Sequence, residues 1–243
     1  MSVDGCLTSM LVDGTVALDA GSLAQALTLG EQAAVRHVFV SHSHLDHILT
    51  LPFFLKNIFG SVEFPVLLHG LPETLAALEG HIFNGTVWPD FAAIPAPCGR
   101  PAVAYRPLTA NAPVEADGLR VTPIPVSHTV PTVGFLVEDG HSAFAYTSDT
   151  GPTDSIYEVA NALPNLRLFI TEASFRNSQG ALAAASGHLT PAMLAKELGK
   201  LRPGVPAGIF HITPADRPML VDELKDIRDR ELTVLEQGMA MEW

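Results

Sequence analysis

Val35-Arg36-His37-Val38-Phe39-Val40-Ser41-His42-Ser43-His44-Leu45-Asp46-His47 is the stretch whose reading decides the fold. Its first six residues are mainly β-branched and apolar, as in a buried strand. That strand delivers the chain into three histidines and one aspartate. In an extended loop His42 and His44 point to one side, because side chains alternate with a period of two. Their imidazoles can then converge on one ion. Where the chain turns into a helix, Asp46 and His47 emerge together in another direction and can hold a second ion. A borderline-soft cation such as Zn²⁺ accepts this mixture of imidazole and carboxylate at roughly 2.0–2.2 Å.

Outward from the loop, the apolar pattern changes period repeatedly, which mixes strands with helices along one chain. Upstream, Thr8 to Val12 and Thr15 to Asp19 read as a hairpin turned by Asp13-Gly14, both of which tolerate positive φ. A short helix follows near Leu23 to Leu29. Downstream, Ile48, Leu49, Leu51, Phe54, Leu55 and Ile58 are spaced as one helix from Asp46 to Phe59, with the Asp46 carboxylate at its N-terminus. Further strands are expected at Val66 to Leu68, Val103 to Tyr105, Leu119 to Val126, Val133 to Val137, Ala143 to Thr147, Leu168 to Thr171 and Gly208 to Phe210. Glu138 to His141 reads as a hairpin turn. Helices are expected at Thr74 to Leu78, Ser155 to Ala162, Pro191 to Leu201 and Pro218 to Arg228, with Thr190 capping the third. His81 to Pro101 is rich in Pro, Gly and aromatics and reads as a long loop, a kind usually tied to function. With no linker in sight, residues 1–243 read as a single layered α/β domain.

Composition narrows the functional classes. Hydrophobic residues make up 47% and charged ones 16%, which describes a globular chain with a large core. No apolar run reaches the ~18 residues needed to cross a bilayer, and the opening residues lack the pattern of a secretion signal. Cys6 and Cys98 form no Cys-x-x-Cys pair, so a thiolate metal site is excluded; a reducing cytoplasm and two small buried thiols are expected. The net charge of −12 and the lack of a Lys/Arg cluster argue against a long nucleic acid. A small anionic substrate remains compatible, because bound cations reverse the local field. Homodimerisation is left open.

The loop resembles the His-x-His-x-Asp-His signature of the metallo-β-lactamase superfamily, and that resemblance implies a four-layer αββα sandwich with two divalent metal ions, zinc first, manganese or iron as alternatives. It further implies ligands downstream, and candidates lie just past predicted strands: His128, Asp149 and His211. By the family pattern His42, His44 and His128 hold one ion, Asp46, His47 and His211 hold the other, and Asp149 bridges them. Asp19 matches an aspartate that supports ligands. Residues Thr171-Glu172-Ala173-Ser174 and Ser186-Gly187-His188-Leu189 resemble Glu and Gly-His motifs shared by the tRNase Z branch and the class II 3′,5′-cyclic-nucleotide phosphodiesterases. The run from His42 to Phe54 resembles the latter more closely.

Two departures stand out: the chain opens about one strand late for that branch, and Thr213 stands where a basic residue is expected. The resemblance implies hydrolysis of a 3′,5′-cyclic nucleotide (cAMP or cGMP) to a 5′-nucleotide by a metal-bound hydroxide. Asp46 would orient the attack, and His188, oriented by Glu172, would assist the leaving oxygen. Phe83, Asn84 and Trp88, with Phe91, are expected to stack and hydrogen-bond the base. Rival readings are a tRNase Z-like hydrolase, a thioester or lactam hydrolase, and a degenerate binding protein. His37 is expected to be structural, and His69 and His141 to lie on the surface.

Overall fold

A computed structural model describes residues 7–243. The opening residues, Cys6 and the region of the late start lie outside the described residues. The chain forms two compact units, one ending at Thr109 and one beginning at Ala110.

The first unit is built on a five-stranded sheet in the order β1 (Met10–Val12), β2 (Val16–Leu18), β3 (His37–Phe39), β4 (Val66–Gly70) and β5 (Val103–Pro107). Strands β1 and β2 are antiparallel, as the hairpin reading expects; Asp13 and Gly14 take φ of 48° and 73°, and Thr15 N–H donates to Val12 C=O. The remaining neighbours pair in parallel. Helices α1 (Leu23–Ala26) and α2 (Leu29–Ala34) follow the hairpin, the second opened by a Thr28/Glu31 capping box.

The helix expected from Asp46 to Phe59 is two: α3 (Leu45–Ile48) and α4 (Leu51–Ile58). Pro52, in the first turn of α4, has no N–H to continue the ladder. Thr50 occupies the break, donating its hydroxyl to Ala20 C=O and accepting from Ala24 N–H. The break ties the histidine loop to the segment that follows β2. Leu51, Phe54, Leu55 and Ile58 turn one face of α4 into a core with Val38, Val40 and Leu68.

Helix α5 (Pro72–Ala77) continues into a π-helical turn, Leu78–Ile82. The expected loop therefore starts later than His81, and it is not detached: Phe83 and Phe91 are buried in the same core, and Trp88 packs against it. Two other expectations are corrected. His69 is buried, because β4 is flanked by β3 and β5; its ring stacks on Phe39 at 4.2 Å and its Nε2 lies 3.0 Å from His37 Nδ1. Burial, then the neighbouring His37 and Arg106, push its pKa down to about 3. Cys98, expected to be buried, is an exposed free thiol in the turn before Pro101. His141 is exposed, as expected.

The second unit carries a seven-stranded sheet: β6 (Val114–Ala116), β7 (Leu119–Pro125), β8 (Val133–Glu138), β9 (Ala143–Tyr146), β10 (Leu166–Glu172), β11 (Ala207–Phe210) and β12 (Leu232–Val234), in sequential order. Strands β6 to β9 are antiparallel and β9 to β12 parallel. Helices α6 (Ser155–Ala162), α7 (Gly180–Ser186), α8 (Pro191–Leu198) and α9 (Arg217–Leu224) complete it. Tyr157, Phe169, Leu194, Leu198 and Ile209 form its core. Among the described residues, no helix is long and apolar enough to cross a membrane.

Candidate functional site

In the first unit, two parallel strands end in polar residues. Strand β2 runs into Asp19 and β3 into Ser41-His42, and the carboxyl ends of parallel strands are where open α/β sheets gather ligand groups. Asp19 adopts a left-handed φ of 59°, which swings its carboxylate back under the histidine loop. There it accepts from Ser41 N–H (2.8 Å), Ser41 Oγ (2.9 Å) and His47 Nδ1 (2.8 Å). Ser41 Oγ also meets His42 Nδ1 at 3.0 Å. Asp19, Ser41, His42 and His47 are all fully buried. Gly21 lets the loop close: a Cβ there would stand 1.9 Å from Asp46 C=O. Ala20 N–H donates to His47 C=O at 2.7 Å. Ligand atoms of His42 and His44 lie within 4.8 Å of each other, as do those of Asp46 and His47.

The second unit repeats the plan. Asp149, Glu172 and His211 lie at the carboxyl ends of three adjacent parallel strands, β9, β10 and β11: Glu172 is the last residue of β10, and the other two follow β9 and β11. Ser148 and His211 take left-handed φ of 55° and 59°. Such backbone costs a non-glycine residue roughly 1–2 kcal/mol and collects at functional sites. Asp149 Oδ2 lies 3.3 Å from His211 Nε2, and a ligand atom of Asp149 also lies within 4.8 Å of one on His128. Asp149 thus stands beside both of the unit's candidate ligand histidines.

His128 enters from the end of β7, its Nδ1 2.9 Å from Gly187 C=O. Gly187 itself caps α7 at φ 71°, and a Cβ there would press on His128 at 3.0 Å. Glu172, fully buried, meets His188 Nδ1 at 2.7 Å and Ser174 Oγ at 2.7 Å. Ser174 Oγ meets His211 Nδ1 at 2.7 Å. Thr213, where a basic residue is expected, donates its hydroxyl to Ser174 C=O and fastens the chain after His211.

In His42, His47, His128 and His211 the Nδ1 atom is engaged by a protein group, so Nε2 is the atom through which each ring would hold a cation. Metal-ligating histidines are oriented in this way, and the donor set of imidazoles and carboxylates fits divalent metal.

The loop residues fare differently. Phe83 is buried in the core and offers no face to a base, which corrects that expectation. The exposed Asn84 spends its amide within its own turn, on Thr86 N–H, Val87 N–H and Gly80 C=O. Trp88 packs on Phe53 at 5.0 Å. Sequence reading does not mark Ser41 or Ser174 as working parts of the site; only their places beside the His and Glu motifs point to them, whereas Gly187 is part of the Gly-His motif itself.

The family model of the beta-lactamase superfamily domain matches residues 9–212, and the chain belongs to that superfamily. Among its relatives is a probable 3′,5′-cyclic-nucleotide phosphodiesterase of Yersinia pestis, 28% identical, with 98% of this chain and 81% of the relative aligned. Ribonuclease Z of Haloferax volcanii is 24% identical over 91% of this chain and 83% of its own. The crystal structure of the metallo-beta-lactamase fold protein YhfI from Bacillus subtilis superposes with a TM-score of 0.74 at 16% identity, covering 98% of this chain and 92% of that one. The protein is therefore a metal-dependent hydrolase with the metallo-β-lactamase fold, and at family level a phosphodiesterase.

Proposed function

We propose that the protein hydrolyses 3′,5′-cyclic nucleotides to 5′-nucleotides, with residues 1–243 acting as one domain in the cytoplasm. The observation that carries the phosphodiesterase chemistry of this reading is the Glu172–His188 pair, held at 2.7 Å and adjoining the candidate ligand His211; the cyclic nucleotide as substrate rests on the His42 to Phe54 resemblance and on the relatives. In this reading His42, His44 and His128 would hold one divalent ion and Asp46, His47 and His211 a second, with Asp149 available to either. Zinc suits the donor set. Bound divalent metals supply Lewis acidity toward phosphoryl oxygens and lower the pKa of water.

The remaining work falls to side chains. Asp46 orients the attacking water. Glu172 accepts from His188 Nδ1–H, so a proton carried on Nε2 is the one His188 passes to the departing 3′-oxygen. The base rests on the apolar cleft of about 220 Å³ lined by Leu45, Pro52, Phe53, Val87 and Trp88, which begins at the residue between His44 and Asp46. Asn84 contributes by shaping the loop that presents Trp88. Support comes from the relatives named as cyclic-nucleotide phosphodiesterases.

Ribonuclease Z relatives favour a second reading, tRNA processing, which the net charge of −12 opposes. The zinc-loaded protein assayed in parallel on cAMP, cGMP, an aryl phosphodiester, a thioester and a precursor tRNA separates them. Turnover of the cyclic nucleotides above the aryl ester is expected; cleavage of the tRNA or the thioester alone would overturn the assignment.

A further inference from the structure

Ser174 lies two residues beyond the last residue of β10 and is buried. Its backbone is held from three sides. Its N–H donates to Leu189 C=O, Ala173 N–H donates to Phe210 C=O, and its own C=O accepts from Thr213. Three polar atoms meet the hydroxyl: Glu172 Oε2 at 2.7 Å, His211 Nδ1 at 2.7 Å and His188 Nδ1 at 3.3 Å.

A serine hydroxyl has a single proton to give. The Glu172 carboxylate already faces donors on both oxygens: Thr150 N–H and His188 Nδ1 on Oε1, and Leu189 N–H on Oε2. A carboxylate set among donors accepts the Ser174 proton too. The serine oxygen is then left as an acceptor toward His211, and His211 carries a proton on Nδ1. Nε2, 3.3 Å from Asp149 Oδ2, is then the atom left to take a cation or, without one, to share a proton with that carboxylate.

We infer that Ser174 is a positioning residue that holds a proton on Nδ1 of His211 and keeps Nε2 turned to Asp149, so that one carboxylate, Glu172, sets two histidines: His188 directly and His211 through the serine. The protonated Nδ1 follows from the hydrogen bonds; its consequence for metal affinity rests on the ligand assignment proposed above. Ser174 thereby couples the group that binds a cation to the group that handles the leaving oxygen. A substitution at Ser174 then acts on metal retention as well as on turnover.

The test uses the full chain and two substitutions, Ser174→Ala and Ser174→Thr. In long-range ¹⁵N–¹H spectra of the metal-stripped protein, wild type should show a proton on His211 Nδ1, and the alanine variant should lose it from part of the population. Zinc titration should show one class of site weakened by about 10- to 100-fold in the alanine variant, the usual loss when a partner of a ligating histidine is removed. The threonine variant, which keeps the hydroxyl, should restore both readings. Wild-type His211 with no proton on Nδ1, or an alanine variant with unchanged Nδ1 protonation and unchanged zinc affinity, would overturn the inference. Failure of the wild type to hydrolyse cyclic nucleotides would sink the substrate assignment alone, because neither readout depends on turnover.

Discussion

The two units solve one problem with the same parts and different exposure. Each hangs its histidines on a buried carboxylate and a serine: Asp19 with Ser41 in the first, Glu172 with Ser174 in the second. In the first, both attached histidines, His42 and His47, are fully buried, and both are candidate ligands. In the second, the His188 and His211 side chains are 12% and 21% exposed, and only His211 is a candidate ligand. A closed hub has no room to move and only holds; an open one keeps a histidine within reach of substrate. On the proposed function, the comparison assigns rigidity to the first unit's network and chemistry to the second's.

Breaking each hub should therefore give opposite signatures. The largest effect is expected from His188→Ala, which removes the proposed acid at the rim of the second network. Turnover should fall about 10²- to 10⁴-fold, while the unfolding midpoint in urea and the bound metal stay close to wild type. Asp19→Asn should do the reverse. An amide faces Ser41 N–H, Ser41 Oγ and His47 Nδ1 with one oxygen where the carboxylate had two. A loss of about 2–3 kcal/mol is expected from buried groups left without acceptors, read as a lowered urea midpoint together with lost metal. Equal losses of stability in both variants would erase the distinction between the hubs.

A third test sharpens the first unit's role as scaffold. His69 is held neutral by burial and by His37, with its pKa at about 3 against the ordinary 6.5. The unfolded chain binds a proton that the folded one refuses, so this contribution is complete above pH 6.5 and is lost as pH falls toward 3. Urea unfolding at pH 7 and pH 4 should show wild type losing on the order of a few kcal/mol more than His69→Phe. That phenylalanine keeps the stack on Phe39 while removing the titration. Equal losses would mean that His69 is not kept neutral.

How much of this was legible in the sequence follows from how local each signal is. The loop from His42 to His47 announces itself because its ligand types are rare and adjacent. His128, Asp149 and His211 are legible only through family resemblance and their places after strands. Ser41 and Ser174 are silent, since serine is common and the carboxylate or histidine each serves lies as many as 22 or 37 residues away. The break at Thr50 depends on contacts with Ala20 and Ala24, which no periodicity reveals. Phe83 was misread because aromatics in an irregular segment look available, whereas this segment folds into the core. Strands β6 and β12 are three-residue edges without an apolar run, and α7 is largely alanine with no stripe to show.

The central proposal is that the candidate histidines and aspartates hold two divalent ions. Elemental mass spectrometry on the full chain, with His42→Ala and His211→Ala beside wild type, tests it most directly. The account predicts about two divalent ions per wild-type chain, as in two-metal hydrolases, and fewer in each variant. A wild-type chain that retains no divalent metal after loading, or variants from either unit that retain the full complement, would contradict it.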